Sequence, residues 1–457
     1  MKKNSKVWID QWQPDDSAFW ETKGKKIAWR NLAWSILAEN LGFSIWLIWS
    51  VVATRLKQVG FHYTTDQLFQ LVAIPGLVGA LLRFPYTFAV PKFGGRNWTV
   101  VSAALLFVPT LSLIYLVNRP DTPFWLMATA AATAGLGGGN FSSSMANISF
   151  FFPDKEKGFA LGLNAAGGNI GVSTVQLLVP IVIGFAVLPG SAGQKLHLEN
   201  AGLLWLPFVA VAILGAFFFM NNLSSARSNF KDQVIVAQRR HTWIMAWLYI
   251  GTFGSFVGFS AAFPLLLKTQ FPEVTANLAF LGALVGSLAR PLGGKLADRI
   301  GGARVTFWNF VAMTFAAMGL VYSLEVKAFA WFLFAFLALF ITTGIGNGST
   351  FRMIPVIFRS YHLKRVQGQG EVAIAQALVV ARRETAAVIG IVASIGALGG
   401  YFIPRACGAS IKATGGATAA VSWFVVFYVT CVGTTWWCYL RSRFMTARIP
   451  SLANAQA

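Results

Sequence analysis

Long apolar stretches, separated by short polar or charged breaks, recur along the whole chain. Each runs for about 20 residues, the length that a helix needs to cross a hydrocarbon core about 30 Å thick. The stretches are continuous and lack the alternation of transmembrane β-strands, so they predict an all-α membrane protein and exclude a β-barrel. Twelve transmembrane helices are expected, beginning near Leu32, Leu68, Trp98, Phe124, Phe159, Leu203, Trp243, Ala276, Val305, Phe329, Thr385 and Val421.

The composition supports a membrane protein and limits its chemistry. Hydrophobic residues make up 56% of the 457 residues and charged residues only 12%, with a mean hydropathy of +0.60, which is too apolar for a soluble protein of this length. The three cysteines lack metal-ligand spacing and are expected to be small core residues. The four histidines fall in predicted loops or at helix ends, so neither an enzyme active site nor a metal site is predicted.

The net charge of +21 is distributed as membrane topology requires. If the N-terminus lies inside the cell, most Lys and Arg residues collect in the inner tails and loops, as the positive-inside rule demands. We therefore expect a multi-pass protein of the cell (inner or plasma) membrane with both termini in the cytoplasm, surrounded by lipid and binding no nucleic acid. Only Arg83 and Arg290 are left for the membrane interior.

A long polar segment between the sixth and seventh apolar stretches predicts a division into two sets of six helices. The expected organisation is a cytoplasmic tail, a first bundle, a cytoplasmic linker, a second bundle and a second cytoplasmic tail. Their predicted limits are 1–31, 32–222, 223–241, 242–441 and 442–457, respectively.

The two halves resemble each other at three places, in the same order. LVGALLR, ending at Arg83, returns as LVGSLAR, ending at Arg290, and a glycine pair follows each arginine eleven residues later. GLGGGNFSSSM returns as GIGNGSTFRM, and GFALGLNAAGGNI, starting at Gly158, returns as GIVASIGALGGYF, starting at Gly390. Two pseudo-symmetric six-helix repeats are expected, with the two arginines facing each other near the bilayer midplane.

Arginine at bilayer depth costs roughly 2.5 to 3.5 kcal/mol, so the pair calls for a counter-charge. Of the sixteen acidic residues only Glu39 is predicted well inside a helix, which makes an anionic substrate the simplest partner. At an effective dielectric of about 20, two cations about 8 Å apart repel by roughly 2 kcal/mol, whereas an anion about 4 Å from each gains roughly 8 kcal/mol. An anion would therefore favour closure of the two halves around it, and alternating access. The alternatives are a buried ion pair or snorkelling to an interface.

Aromatic and small residues are the candidate walls of this site. The aromatic candidates could hold a planar anion between rings, although lipid contact or core packing explains most membrane aromatics equally well. The glycines of the two 13-residue segments either let bare backbone approach the substrate or only allow close helix packing. The candidates are Phe43, Phe141, Tyr249, Phe253, Asn169, Gly158, Gly162, Gly167, Gly168, Gly390, Gly396, Gly399 and Gly400.

Glu39 stands four residues before Phe43, so the two share one helix face. If Phe43 faces the cavity, Glu39 does too. Its carboxyl group is then either a proton-coupling group or a structural hydrogen-bonding group, and both readings stay open at the level of sequence.

The motifs together resemble the NarK-type nitrate/nitrite porter (NNP) family of the major facilitator superfamily. They cover nearly the whole chain: TTDQLF, GALLRFPY, FGGR, SSMANISFFFP, LGLN, TFGSFVGFSAAF and KTQFP. The resemblance implies the twelve-helix fold of that superfamily and transport of nitrate and nitrite, with no cofactor and no obligate protein partner. It also implies that Arg83 and Arg290 bind the anion, that the aromatic candidates and Asn169 line its cavity, and that the two 13-residue segments are the family's nitrate-signature motifs.

The coupling mode is left with two alternatives. The family includes nitrate/nitrite exchangers and proton-coupled nitrate importers, and the exchanging type has no protonatable acid in its cavity, a pattern from which Glu39 departs. Inward movement of an anion against an inside-negative potential costs about 2.3 kcal/mol per 100 mV, so net uptake needs coupling. We favour proton/nitrate symport with Glu39 in coupling over nitrate/nitrite antiport. An anion channel, or a carrier of phosphate or another small anion, is a more distant alternative.

Overall fold

A computed structural model describes residues 7–187, 196–226 and 235–441. Twelve long helical stretches dominate this part of the chain, and eleven of them are long and apolar enough to cross a membrane. The twelfth, α4, is less apolar because it is rich in Gly, Ser and Asn. The stretches are α1 Ser17–Val59, α2 Thr65–Phe93, α3 Gly95–Leu116, α4 Phe124–Phe151, α5 Asp154–Val182, α6 Asn200–Phe219, α7 Arg240–Gln270, α8 Ala276–Ile300, α9 Gly302–Glu325, α10 Phe329–Arg365, α11 Glu371–Thr414 and α12 Thr418–Leu440. The all-α membrane fold predicted from the sequence is confirmed.

Helix starts follow the hydropathy pattern with a systematic offset. Six helices begin three residues before their predicted starts. Their first turn is already helical, but the apolar run on which the prediction rests begins only after it. The prediction is wrong for α1, which begins at Ser17 rather than near Leu32, and for α11, which begins at Glu371 rather than near Thr385. The first turns of α11 are mostly exposed, with Val372 73% exposed, and the charged residues Arg382, Arg383 and Glu384 separate them from the long apolar run that starts at Thr385. Only residues 366–370 separate α10 from α11.

The internal repeat is visible in the turns and in the helix pairs. Gly94 and Gly301, eleven residues after the two arginines, have φ values of +88° and +94°, a conformation that favours glycine. Each closes a tight turn, between α2 and α3 and between α8 and α9. α2 packs along α4 just as α8 packs along α10, and the two sets of helices meet through α2 with α11, α5 with α8, and α1 with α7. Arg83 on α2 and Arg290 on α8 therefore both lie at the junction between the sets.

The segment before the first apolar stretch is folded onto the bundle. A short strand β1, Trp8–Ile9, pairs in parallel with β2, Asn222–Leu223, just after α6. The indole of Trp20 donates a hydrogen bond to Glu156 (3.1 Å) at the start of α5. We call Trp8–Trp20 the N-terminal clasp, since it fastens the ends of α4, α5 and α6. Of the predicted tails and linker, residues 1–6, 227–234 and 442–457 lie outside the described residues.

Two ends of the bundle are distinguished below. The tail end carries the N-terminal clasp and Arg441, and the loop end carries the connections Leu56–Thr64 and Phe271–Thr275. Between them the outer surface is apolar, with large side chains such as Trp423 (73% exposed) and Phe315 (67% exposed) facing outward, as expected for contact with lipid.

Candidate functional site

Arg83 is fully buried in the middle of α2. Its Nε donates to the carbonyl oxygen of Gly138 on α4 (3.0 Å), and its Nη1 donates to the carbonyl oxygen of Ala393 on α11 (3.1 Å). The remaining nitrogen, Nη2, is buried and has no hydrogen-bond partner in the described part of the chain. Arg83 thus links the two sets of helices and keeps one donor for another acceptor.

Arg290 occupies the matching place on α8 and is 3% exposed. Its Nη2 lies 3.5 Å from the hydroxyl oxygen of Tyr249, a long contact. Its Nη1 is buried without a hydrogen-bond partner among residues 7–187, 196–226 and 235–441. Each arginine therefore offers one unused Nη nitrogen, with its N–H groups, inside the protein.

A single aromatic ring lies beside both arginines. The guanidinium carbon of Arg83 is 4.6 Å from the centre of the Phe141 ring, and that of Arg290 is 5.5 Å from it. Phe253 stacks on Phe141 at 5.7 Å and lies 4.6 Å from Arg83. Tyr249 stacks in turn on Phe253 at 5.3 Å. The predicted cationic pair and four predicted aromatic residues come together in one buried cluster, with Phe43 5.9 Å from Arg83.

Four further contributors escaped the sequence analysis. Trp46 lies 5.2 Å from Arg83, and its position three residues after Phe43 on the same helix face was the available signal. Phe351 lies 5.7 Å from Arg290 and 6.3 Å from Tyr249. The carbonyl groups that bind Arg83 have no sequence signal, because every residue carries one.

Asn169 is buried in α5, where both of its side-chain polar atoms lack a hydrogen-bond partner among the described residues. Leaving a buried polar group without a hydrogen-bond partner costs about 1 to 3 kcal/mol. A ligand that bonds the Asn169 amide would recover this free energy. No hydrogen bond joins it to either arginine in this structure, and its predicted role as a cavity residue stays a prediction.

The first glycine segment packs mainly against α1, although Gly158 lies near Arg352 of α10 in the other set of helices. Gly167 lies against Ile36, and Gly168 lies against the carboxyl group of Glu39. Gly158 is exposed near the tail end, and a Cβ atom at Gly162 would meet no atom within 4 Å. None of these glycines reaches the arginine pair here, and their predicted approach to substrate stays a prediction.

The second glycine segment makes different contacts, because it crosses from one set of helices to the other. It runs along α2 at two of its glycines and along α7 at the other two. The contacts are Gly390 with Thr87, Gly400 with Gly76, Gly396 with Tyr249, and Gly399 with Gly254. The segment therefore touches both the interface and the tyrosine that faces Arg290.

Glu39 is buried in α1 beside this site, with 1% of its surface exposed. Its Oε2 accepts hydrogen bonds from Asn164 Nδ2 (2.6 Å) and from the Ser144 hydroxyl, which also lies 3.0 Å from the Ser35 hydroxyl. Its Oε1 has no hydrogen-bond partner among the described residues. We call Glu39, Ser35, Ser144 and Asn164 the Glu39 cluster.

Three other acidic residues of the helices are held differently. Asp66 pairs with Arg405 (3.1 Å), Asp298 pairs with Arg352, and Glu384 accepts two bonds from Arg239 (2.6 and 3.1 Å). His362 also lies 3.0 Å from Glu384. Glu39 instead has neutral hydrogen-bond donors, and no cation of the described residues forms an ion pair with it.

A buried polar site between two repeated six-helix sets is the architecture of a solute transporter. The Major Facilitator Superfamily model matches residues 40–381 of the chain. Nitrate/nitrite transporter NarU of Escherichia coli (strain K12) is 45% identical, covering 97% of this chain and 98% of that protein. The probable nitrate/nitrite antiporter NarK2 of Thermus thermophilus is 37% identical, covering 96% and 98%. The chain therefore belongs to the major facilitator superfamily and, within it, to the family of these nitrate/nitrite transporters.

The comparison with solved structures agrees on the fold. A partially occluded inward-open structure of the xylose transporter XylE from E. coli has a TM-score of 0.64 and 11% identity, covering 90% of this chain and 99% of that one. This likeness concerns the fold alone. The family and fold expected from the sequence motifs are confirmed, and so is the prediction of a transporter rather than an enzyme.

Proposed function

We propose that the protein carries nitrate and nitrite across the membrane by alternating access, with the anion bound between Arg83 and Arg290. The observation that carries the proposal is the pair of unused donors, Arg83 Nη2 and Arg290 Nη1, buried beside the same Phe141 ring. Two buried cations with unpaired N–H groups are costly without an anion. The substrates named for the 45% identical relative supply anions of the right charge.

Nitrate and nitrite suit the shape and chemistry of this site. Both are small, planar and forked, and a guanidinium group can donate to two of their oxygens at once. The surrounding aromatic rings match a flat, weakly hydrated anion with their edges, where the partial charge is positive. Phosphate would need more cationic donors, and among the described residues the only other buried Arg or Lys is Arg441, at the tail end.

Binding of the anion is expected to stabilise a closed arrangement of the two helix sets. Arg83 and Arg290 come from different sets, so their mutual repulsion opposes closure until a negative charge lies between them. Closure at one end and opening at the other then moves the site from one side of the membrane to the other. The division into bundles at 32–222 and 242–441 is part of this proposal.

For the coupling mode we favour proton/nitrate symport through Glu39. The carboxyl group is buried next to the anion site, and within the described part of the chain it has one free oxygen and no ion-pair partner, so it can exist in a charged or a protonated form. Antiport of nitrate against nitrite is the second candidate, favoured by the name of the Thermus relative. We also propose that the protein lies in the inner or plasma membrane with the tail end in the cytoplasm.

Uptake of nitrate into liposomes containing the purified protein separates the two modes. One arm imposes an inward proton gradient, and the other places nitrite inside at uniform pH. For a symporter we expect uptake driven by protons alone, abolished by Glu39→Gln. Uptake that requires internal nitrite and ignores the proton gradient would establish antiport and leave Glu39 a structural role. Flux far above carrier rates without counter-transport would indicate a channel.

A further inference from the structure

The first glycine segment, residues 158–170, is built around Glu39 more closely than around the arginine pair. Asn164 donates to Oε2 of Glu39, and one turn later Gly168 faces the other carboxylate oxygen. A Cβ atom at position 168 would lie 2.3 Å from Oε1, 2.7 Å from Cγ and 2.8 Å from Cδ of Glu39. The three nearest atoms all belong to this one side chain, so glycine is needed here to leave room for the acid.

The repeated segment in the other half lacks this arrangement. When the two 13-residue segments are placed in register, Asn164 corresponds to Gly396 and Gly168 to Gly400. Gly396 has no side chain to donate, and Gly400 lies against Val257 and Gly76, which are apolar. The amide donor at this position of the segment therefore occurs only in the half that carries Glu39.

The chemistry of the Glu39 cluster is that of a proton site. Two donors on Oε2 stabilise the carboxylate form, whereas burial favours the neutral acid, and a proton added to the free Oε1 forms an O–H bond and removes the charge. The charged and titratable groups near enough to act on Glu39 are Arg83 on α2, Arg290 on α8 and Tyr249 on α7. Among the described residues, the side chains that hydrogen-bond the carboxyl group are uncharged: the Ser144 hydroxyl of α4 and the Asn164 amide of α5.

We propose that Asn164, Ser144 and Gly168 are positioning residues that set the proton affinity of Glu39, so that the first glycine segment serves coupling rather than anion contact. The inference rests on the proposed role of Glu39 in proton/nitrate symport. It assigns the two pseudo-equivalent glycine segments separate tasks: the first holds the acid, and the second forms the moving interface.

The first test is the pH profile of proton-driven nitrate uptake in liposomes. Asn164→Leu and Ser144→Ala each remove one donor from the carboxylate, which favours the protonated form and should move the midpoint of the profile to higher pH by about one to two units. Ser143→Ala is the matched control, because its hydroxyl bonds only the Asn140 carbonyl oxygen of its own helix. The control should keep the wild-type midpoint.

The second test uses the steric contact between positions 168 and 39. Gly168→Ala should reduce exchange of labelled nitrate, a reaction that needs folded protein but no proton gradient. In the Glu39→Ala background the added methyl group has room, so Gly168→Ala should then cost little or no exchange. Equal losses in both backgrounds would show that Gly168 only packs against α1.

The outcomes separate this inference from the proposed function. If Glu39→Gln keeps proton-driven uptake, the proposed role of Glu39 is wrong, and the inference falls with it. If Glu39→Gln abolishes that uptake while Asn164→Leu and Ser144→Ala keep the wild-type midpoint, only the inference is overturned. Thermal unfolding of each purified variant identifies those that fail to fold.

Discussion

The two arginines differ in how firmly the protein holds them. Arg83 donates from two of its nitrogens to backbone carbonyls of two other helices, whereas the one hydrogen bond of Arg290 to the described residues is a long contact with the Tyr249 hydroxyl. Hydrogen bonds from a charged group contribute roughly 1.5 to 3 kcal/mol each. Arg83 is therefore part of the framework as well as of the site, and Arg290 depends more strongly on a bound anion.

This difference predicts unequal effects of two matching substitutions. Arg83→Lys and Arg290→Lys keep the charge but lose the planar fork, so nitrate transport should fall by about 10- to 100-fold in each. Only Arg83→Lys should also lower the thermal unfolding temperature, because it loses the carbonyl bonds. Uptake assays and thermal unfolding of the purified variants measure both effects. Wild-type transport in both variants would show that the anion binds elsewhere.

At the scale of residues, the sequence predicts those parts of the site that are made by side chains. The repeat predicts that Arg83 and Arg290 face each other, and the structure brings both beside Phe141. The partners of Glu39 could not be predicted, because Ser144 and Asn164 lie on other helices and their contact depends on packing angles. The carbonyl groups of Gly138 and Ala393 could not be predicted either, because a backbone acceptor does not depend on the side chain.

At the scale of elements, α11 is the helix that joins the two halves. Its glycines approach α2 so closely that a Cβ atom at Gly76 would lie 2.4 Å from the backbone carbon of Gly400. Two helices can meet at this distance only where both lack side chains. The contact lies towards the loop end, on the same side of the arginines as Asp66.

Gly76→Ala should therefore push α2 and α11 apart and disfavour closure of the loop end. Spin labels at Gln58→Cys and Glu273→Cys, both exposed at that end, should report a longer average distance than in the parent protein. The native Cys407, Cys431 and Cys438 are buried and should label poorly. Gly433→Ala, which meets no atom within 4 Å, is the control and should leave the distance unchanged. An unchanged distance in Gly76→Ala would show that the contact does not limit closure.

Helix boundaries were predictable only where apolarity and helicity coincide. In α11 the first fourteen residues are helical and mostly exposed, and they mix apolar residues with the polar helix formers Glu, Gln and Arg. A hydropathy pattern reports contact with lipid rather than backbone conformation, so it misses helix that extends beyond the membrane.

At the scale of the whole molecule, the halves are joined at the loop end by polar contacts that cross between them. Arg405 pairs with Asp66 (3.1 Å), Arg55 donates to Asn277 (3.2 Å), and the Lys268 ammonium group donates to the Thr54 carbonyl oxygen. Such contacts must break whenever the loop end opens. They should therefore influence how often it opens, more than how tightly the anion binds.

The Asp66–Arg405 pair offers a test of this gating role. Asp66→Asn should weaken the closed loop end by about 0.5 to 1 kcal/mol, as expected for a partly exposed pair, and change the transport rate about two- to fivefold. The exchanged pair, Asp66→Arg with Arg405→Asp, should restore the rate at least in part. Nitrate uptake kinetics at low and high salt measure the effect, which should shrink at high salt. A double variant no better than either single one would argue against a direct pair.

The N-terminal clasp has a consequence for biosynthesis. Asp10 accepts a hydrogen bond from Ser224, although the two residues are 214 positions apart. The ribosome makes the clasp first, but its binding partner emerges only after six helices have been translated. Until β2 has been made, the hydrophobic cluster that buries Trp12 and Trp20 lacks Leu223. Docking of the clasp therefore marks the moment at which the first half of the nascent chain is complete, before the second half has been made.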